Sequence, residues 1–139
     1  MKKTQKWFEE HYINGIKKEM GYDSESLNLS VMNNPSSFGK VMLFGALSSL
    51  SLRMYNLSIE EEGLLFIQRN VMNNELLTEK SNFIYHDEIQ TIRFKKGILQ
   101  DKLLILNKEG KKLHFKINKK IARVPWHKES LEKVQQMYA

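Results

Sequence analysis

Between Arg53 and Asn118 the chain consists of short segments in which apolar and polar residues alternate, separated by turn signals, and the last of them leads into an amphipathic stretch. A period of two marks a strand with one buried face, and a period of 3.6 marks a helix. Several such strands in succession need a common core, and the terminal amphipathic stretch offers the apolar face that would close it. The pattern therefore predicts an α+β domain that is mainly β. At 139 residues the chain suits a single core, since a chain of this size buries roughly 68% of its unfolded surface.

The first strand is read at Ser26 to Met32, where Leu27, Leu29 and Val31 alternate with polar positions, and Asn33-Asn34-Pro35-Ser36-Ser37 ends it. Phe38 to Leu52 is an apolar run too long for a strand, and it is read as a helical insertion between strands one and two. Tyr55, Leu57 and Ile59 form the second strand. The acidic turn Glu60-Glu61-Glu62-Gly63 follows, with Gly63 expected to supply a positive φ, and Leu64 to Ile67 return. Phe83 to Tyr85 and Ile89 to Phe94 flank the polar corner His86-Asp87-Glu88 and are closed by Lys96-Gly97. Lys102 to Leu106 and Lys111 to Ile117 enclose Asn107-Lys108-Glu109-Gly110, a hairpin. In this last strand Leu113, Phe115 and Ile117 point to the core, and Lys112, His114 and Lys116 to water.

Two helices complete the reading. Trp7, Phe8, Tyr12, Ile16 and Met20 recur at helical spacing, with Glu9, Glu10, Asn14, Lys17 and Lys18 expected to face water and Gly21 as the stop. Pro125 opens a second helix that carries Trp126, Leu131, Val134 and Met137. The organisation expected is one domain over 1–139: an N-terminal helix in 1–21, a barrel in 26–118 with its insertion at 38–52, and a C-terminal helix in 125–138. Leu57, Ile59, Phe66, Phe115 and Ile117 should share a core with Leu131 and Val134.

At three places the sequence resembles bacterial pleckstrin-homology-like domains, which are related in shape to GRAM domains. Tyr55-Asn56-Leu57-Ser58 followed by Gly63-Leu64-Leu65-Phe66-Ile67 is similar to that family's tyrosine-bearing strand and its return. Ile84 to Ile92, ending at Lys96-Gly97, resembles its tyrosine, acidic pair and isoleucine corner. Leu104 to Gly110 with Lys111 to Ile117 resembles its hairpin with an acidic-glycine-lysine turn. The resemblance implies an antiparallel barrel of about seven strands plugged by the C-terminal helix, working as a non-enzymatic binding or scaffolding module. Phosphoinositide-binding members carry lysines and arginines on and between the first two strands, whereas here only Lys40 and Arg53 flank an apolar run.

Composition bounds the chemistry. Without cysteine there is no disulfide, thiolate metal site or cysteine nucleophile. His11, His86, His114 and His127 lack metal-ligand spacing and are read as surface or corner residues. No serine lies in a nucleophile motif, and no glycine-rich phosphate loop occurs. The sequence thus implies no catalytic residue, no metal and no cofactor. Glu9, Glu10 and His11 interrupt any secretory leader, so a cytoplasmic protein is expected, with a location peripheral to the membrane as the alternative.

Charge is the one chemically pointed feature. Residues 56–90 hold two basic and seven acidic side chains, while residues 91–128 hold twelve and two. Lys95, Lys96, Lys111, Lys112, Lys116, Lys119 and Lys120 are the candidate residues for an anion or partner, and Phe44 and Leu47 for self-association. The expected partner is a protein or a second copy of the chain, held at a sheet edge or beside the C-terminal helix, with an anionic membrane surface as the alternative. Specific nucleic-acid binding is not expected, because Phe94 and Phe115 fall on core-facing positions and leave no exposed stacking platform.

Overall fold

The structure, a computed structural model, describes residues 6–23, 25–33, 54–70, 72–121 and 123–139. The helix expected at 38–52, with Phe44 and Leu47, lies outside the described residues. Helix α1 (Glu10–Glu19) precedes strands β1 (Leu27–Asn33), β2 (Met54–Ile59), β3 (Gly63–Arg69) and β4 (Leu76–Tyr85). A 3-10 turn at His86–Glu88 leads to β5 (Ile89–Lys95), β6 (Gln100–Asn107) and β7 (Lys112–Asn118), and α2 (Pro125–Met137) follows. The strands form one antiparallel sheet in the order β4-β3-β2-β1-β7-β6-β5.

This sheet is folded over on itself. In a flat sheet β3 and β7, three places apart, would be separated by about 14 Å. Yet Phe66 of β3 and Phe115 of β7 stack with ring centroids 5.1 Å apart. The inner faces of the two halves therefore meet in one core, which gathers Leu29, Leu57, Ile59, Phe66, Leu103, Phe115 and Ile117 with Leu131 and Val134 of α2. The core residues expected from periodicity are all in this cluster.

The seam between the halves explains the position of α2. Strands β1 and β7 pair only at Met32 with Lys116 and Asn33 with Phe115, then diverge toward Leu27. Side chains of α2 take up the backbone groups left on β1: His127 Nε2 accepts from the Ser30 N–H at 3.0 Å, and Ser130 Oγ donates to the Asn28 carbonyl at 2.6 Å. A backbone amide buried without a partner would cost about 1–3 kcal/mol, so these two side chains are what allow the sheet to open here. His127, expected at the surface, is in fact fully buried.

Helix α1 packs on the outer face of the other half, where Ile13 joins Leu65, Ile67 and Leu76. Strands β2 and β3 are consequently buried on both faces, which explains the unbroken apolar run from Leu64 to Ile67. The segment before α1 is held by Arg69, whose Nη1 donates to the carbonyls of Trp7 (2.8 Å) and Asn74 (2.7 Å), and by Trp126, whose indole N–H donates to the Phe8 carbonyl at 2.8 Å.

Three local readings are revised by the structure. The N-terminal helical stretch is broken at residues 7–9, where the chain turns, and α1 runs from Glu10. Strand β4 extends back from Phe83 to Leu76, because an edge strand accepts the polar stretch Glu79-Lys80-Ser81-Asn82 with one side in water. Gly63 is not at a positive φ. Its lack of a side chain matters because a Cβ there would run into the Ile84 carbonyl of β4.

Candidate functional site

Beyond a register shift between Ile89 and Thr91 of β5, strands β5, β6 and β7 alternate, and their outward positions fall into rows across the three strands. Lys95 stands opposite Lys102, and Lys102 opposite Lys116. Arg93, Leu104 and His114 form the next row, and Thr91, Leu106 and Lys112 the one beyond. The register thus places three lysines side by side on adjacent strands. Like charges in directly opposed positions are destabilising, so this row is a local cost to the fold.

The remaining candidates are distributed along β7. Lys111 and Lys112 lie at its start beside the β6–β7 turn, where the Lys111 backbone N–H donates to Asn107 Oδ1 at 2.8 Å. Lys116, Lys119 and Lys120 lie at or beyond its other end, with Lys119 3.6 Å from buried Asp101. Eight residues of extended chain separate Lys111 from Lys119, about 26 Å. That is more than three Debye lengths at physiological salt, so the two ends act separately. Lys95 and Lys96 join the Lys116 end through the sheet register.

A groove of about 780 Å³ runs between β5 and α2, lined by Ile92, Arg93 and Phe94 on one side and Glu132, Gln136 and Tyr138 on the other. Strand β5 ends the sheet, and among the described residues it pairs with β6 alone. Ile92 and Phe94 point inward yet remain only half-buried, because no further strand among the described residues covers them. Their uncovered apolar surface forms part of the groove wall.

Titratable groups expected in water are found inside. Lys17 is fully buried, and its three ammonium protons are shared among Ser26 O (3.0 Å), Ser26 Oγ (2.8 Å), Asn28 Oδ1 (3.0 Å) and Ser58 Oγ (2.9 Å). Ser26 and Ser58 in turn donate to Glu60, itself buried. Burial pulls the Lys17 pKa down to about 8, opposed by the Glu60 carboxylate. A lysine acting as general base must present a lone pair, but Nζ here is surrounded by acceptors and holds its protons. The cluster fastens α1 to the sheet rather than activating Ser58. The sequence concealed it because Asn28 and Ser58 occupy outward strand positions, which periodicity assigns to water unless a helix is known to cover them.

Arg69 is also fully buried, 4.2 Å from the Phe8 ring centroid, and burial lowers its pKa to about 10. His86 sits at the corner, its Nδ1 3.1 Å from the Glu61 carbonyl and its Nε2 3.1 Å from the Tyr138 hydroxyl. Among the described residues no three His, Asp or Glu side chains are grouped to hold a metal ion, and no helix is long and apolar enough to cross a membrane. Compared with known proteins, the chain matches no family model and no curated protein.

Proposed function

We propose that this chain is a pleckstrin-homology-like, non-enzymatic interaction module that takes an extended peptide along the free edge of β5, in the groove against α2. The strand order, the bent sheet and the helix set into its seam support the pleckstrin-homology-like reading. The peptide reading rests on the half-buried Ile92 and Phe94 beside an unpaired strand edge. An added strand supplies main-chain partners to that edge, and its alternate side chains cover the exposed apolar wall. Arg93 and Lys96 on the groove favour a peptide with acidic residues.

The test is selection from a displayed random peptide library, followed by hydrogen exchange. A selected peptide should slow exchange of β5 amides, and Gln136→Trp, which fills the groove from an exposed position, should weaken binding by roughly tenfold or more. Failure to select any peptide, or peptides that leave β5 exchange unchanged, would remove the reading. Protection of β5 that depends only on protein concentration would replace the peptide with a second copy of the chain.

A further inference from the structure

The turn between β5 and β6 carries a different kind of surface. Ile98 and Leu99 stand at its tip with 93% and 80% of their surfaces exposed. Two adjacent aliphatic side chains this bare are unfavourable in water and contribute nothing to either core. The tip is nevertheless held firmly. The buried Asp101 accepts the Gly97 N–H at 3.0 Å and the Gln135 side-chain amide at 2.6 Å, and the Lys119 N–H donates to the Leu99 carbonyl at 3.2 Å. Gly97 admits no side chain, since a Cβ would run into the Gln100 carbonyl. Ile98 and Leu99 are therefore presented outward on a braced turn.

The cross-strand lysine row lies at the base of this tip. Lys95 and Lys102 are the last pair of β5 and β6 before the turn, Lys116 adjoins Lys102, Lys96 precedes the turn in the chain, and Lys120 follows Lys119, whose N–H bonds the Leu99 carbonyl. Among the described residues none of these five makes an ion pair. A fold that tolerates three directly opposed lysines and two bare aliphatics at one end needs a partner that accepts both. Nucleic acid would meet the charge but offers no apolar phase, and the tip has no aromatic ring for stacking. An anionic leaflet offers both, with phosphates at the surface and an acyl boundary a few ångströms below.

We propose that the β5–β6 turn is a membrane-anchoring wedge, with Ile98 and Leu99 entering the headgroup–acyl boundary of an anionic bilayer and Lys95, Lys96, Lys102, Lys116 and Lys120 lying against its phosphates. Neither part suffices alone: two aliphatic side chains bind too weakly, and a small basic patch is displaced by salt. Together they make the two-signal anchor that peripheral attachment requires. The proposal goes beyond the peptide groove and stands or falls independently of it.

The experiment uses co-sedimentation of the full chain with phosphatidylcholine vesicles, with and without about 30% phosphatidylserine, at about 0.1 M and about 1 M salt. Wild type should partition onto the anionic vesicles at low salt and not onto the neutral ones. Ile98→Ser with Leu99→Ser should lower partitioning roughly tenfold, and Lys102→Glu with Lys116→Glu roughly a hundredfold, with the melting temperature of each showing that it folds. Because the chain has no cysteine, a thiol-reactive, polarity-sensitive dye can be placed at Leu99→Cys and, as control, at exposed Met72→Cys on the β3–β4 turn. The dye at 99 should shift to the blue on anionic vesicles and the dye at 72 should not. Absence of wild-type binding, equal binding to neutral vesicles, a serine variant that binds as wild type, or an unshifted dye at 99 would each overturn the proposal.

Discussion

His127 Nε2 stands 3.0 Å from the backbone nitrogen of Ser30, in the place where the carbonyl of a neighbouring strand would accept that N–H. An accepting Nε2 requires the neutral ring with its proton on Nδ1, and Nδ1 has no partner among the described residues. Burial accordingly lowers the His127 pKa to about 4, an effect to which nearby Arg69 adds. One imidazole thus couples the closure of the seam to pH.

The sign follows from linkage. The unfolded chain binds the His127 proton more readily than the folded one, so this contribution to stability is intact above about pH 6.5 and is lost as pH falls toward about 4. A depression of this size corresponds to about 3 kcal/mol across the window. Urea unfolding from pH 7 to pH 5, above most carboxylate titration, should show a falling midpoint for wild type. In His127→Gln, which keeps an acceptor but no titrating ring, the midpoint should be much flatter. Equal slopes for the two proteins would mean that His127 is not the titrating group.

Phe115→Ala tests the fold-over of the sheet. The ring is fully buried and stacked on Phe66 from three strand positions away, so its removal opens a cavity where the two halves meet. The expected cost is about 3–5 kcal/mol, read by thermal or denaturant unfolding. An unchanged melting curve would show that the halves do not close on this ring.

What the sequence made legible follows from the two kinds of sheet in the molecule. Strands β5 to β7 have one wet face, so their alternation reports burial directly, and Leu113, Phe115 and Ile117 could be assigned to the core from spacing alone. Strands β1 and β2 are covered by helices on their second face, and there spacing misleads. Asn28, Asn56 and Ser58 read as solvent positions and are buried polar partners. Lys17 and His127 escaped for the same reason, because each is placed by packing between elements far apart in the chain. The basic candidates were legible as residues but not as a surface. Only the strand register brings Lys95, Lys102 and Lys116 into one row and separates them from Lys111.

The buried Lys17 and Glu60 make a second energetic test. Removing one member of a buried charged network leaves the other without compensation, at a typical cost of about 3–5 kcal/mol, while replacing both costs far less than the sum. Lys17→Met should therefore destabilise strongly, and adding Glu60→Gln should recover part of the loss. Denaturant unfolding of the two single variants and the double variant measures the coupling. Additive losses would show that the ammonium and carboxylate act independently, contrary to their shared contacts with Ser26 and Ser58.

The lysine row predicts an opposite effect, a surface substitution that stabilises. Lys102 lies between Lys95 and Lys116, so Lys102→Glu converts two directly opposed like-charge pairs into two attractive ones. Cross-strand charge pairs are each worth roughly 0.2–1 kcal/mol, and the change from repulsion to attraction at both should raise stability by about 0.5–2 kcal/mol. The gain should shrink as salt rises, since Lys95 and Lys102 are exposed, Lys116 is only half-buried, and the pairs are screened. Thermal unfolding of wild type and Lys102→Glu at low and high salt decides the matter. A variant that melts at or below wild type at low salt would show that the three ammonium groups splay apart in solution and do not repel, and the row would then carry no stability cost for an acidic partner to offset.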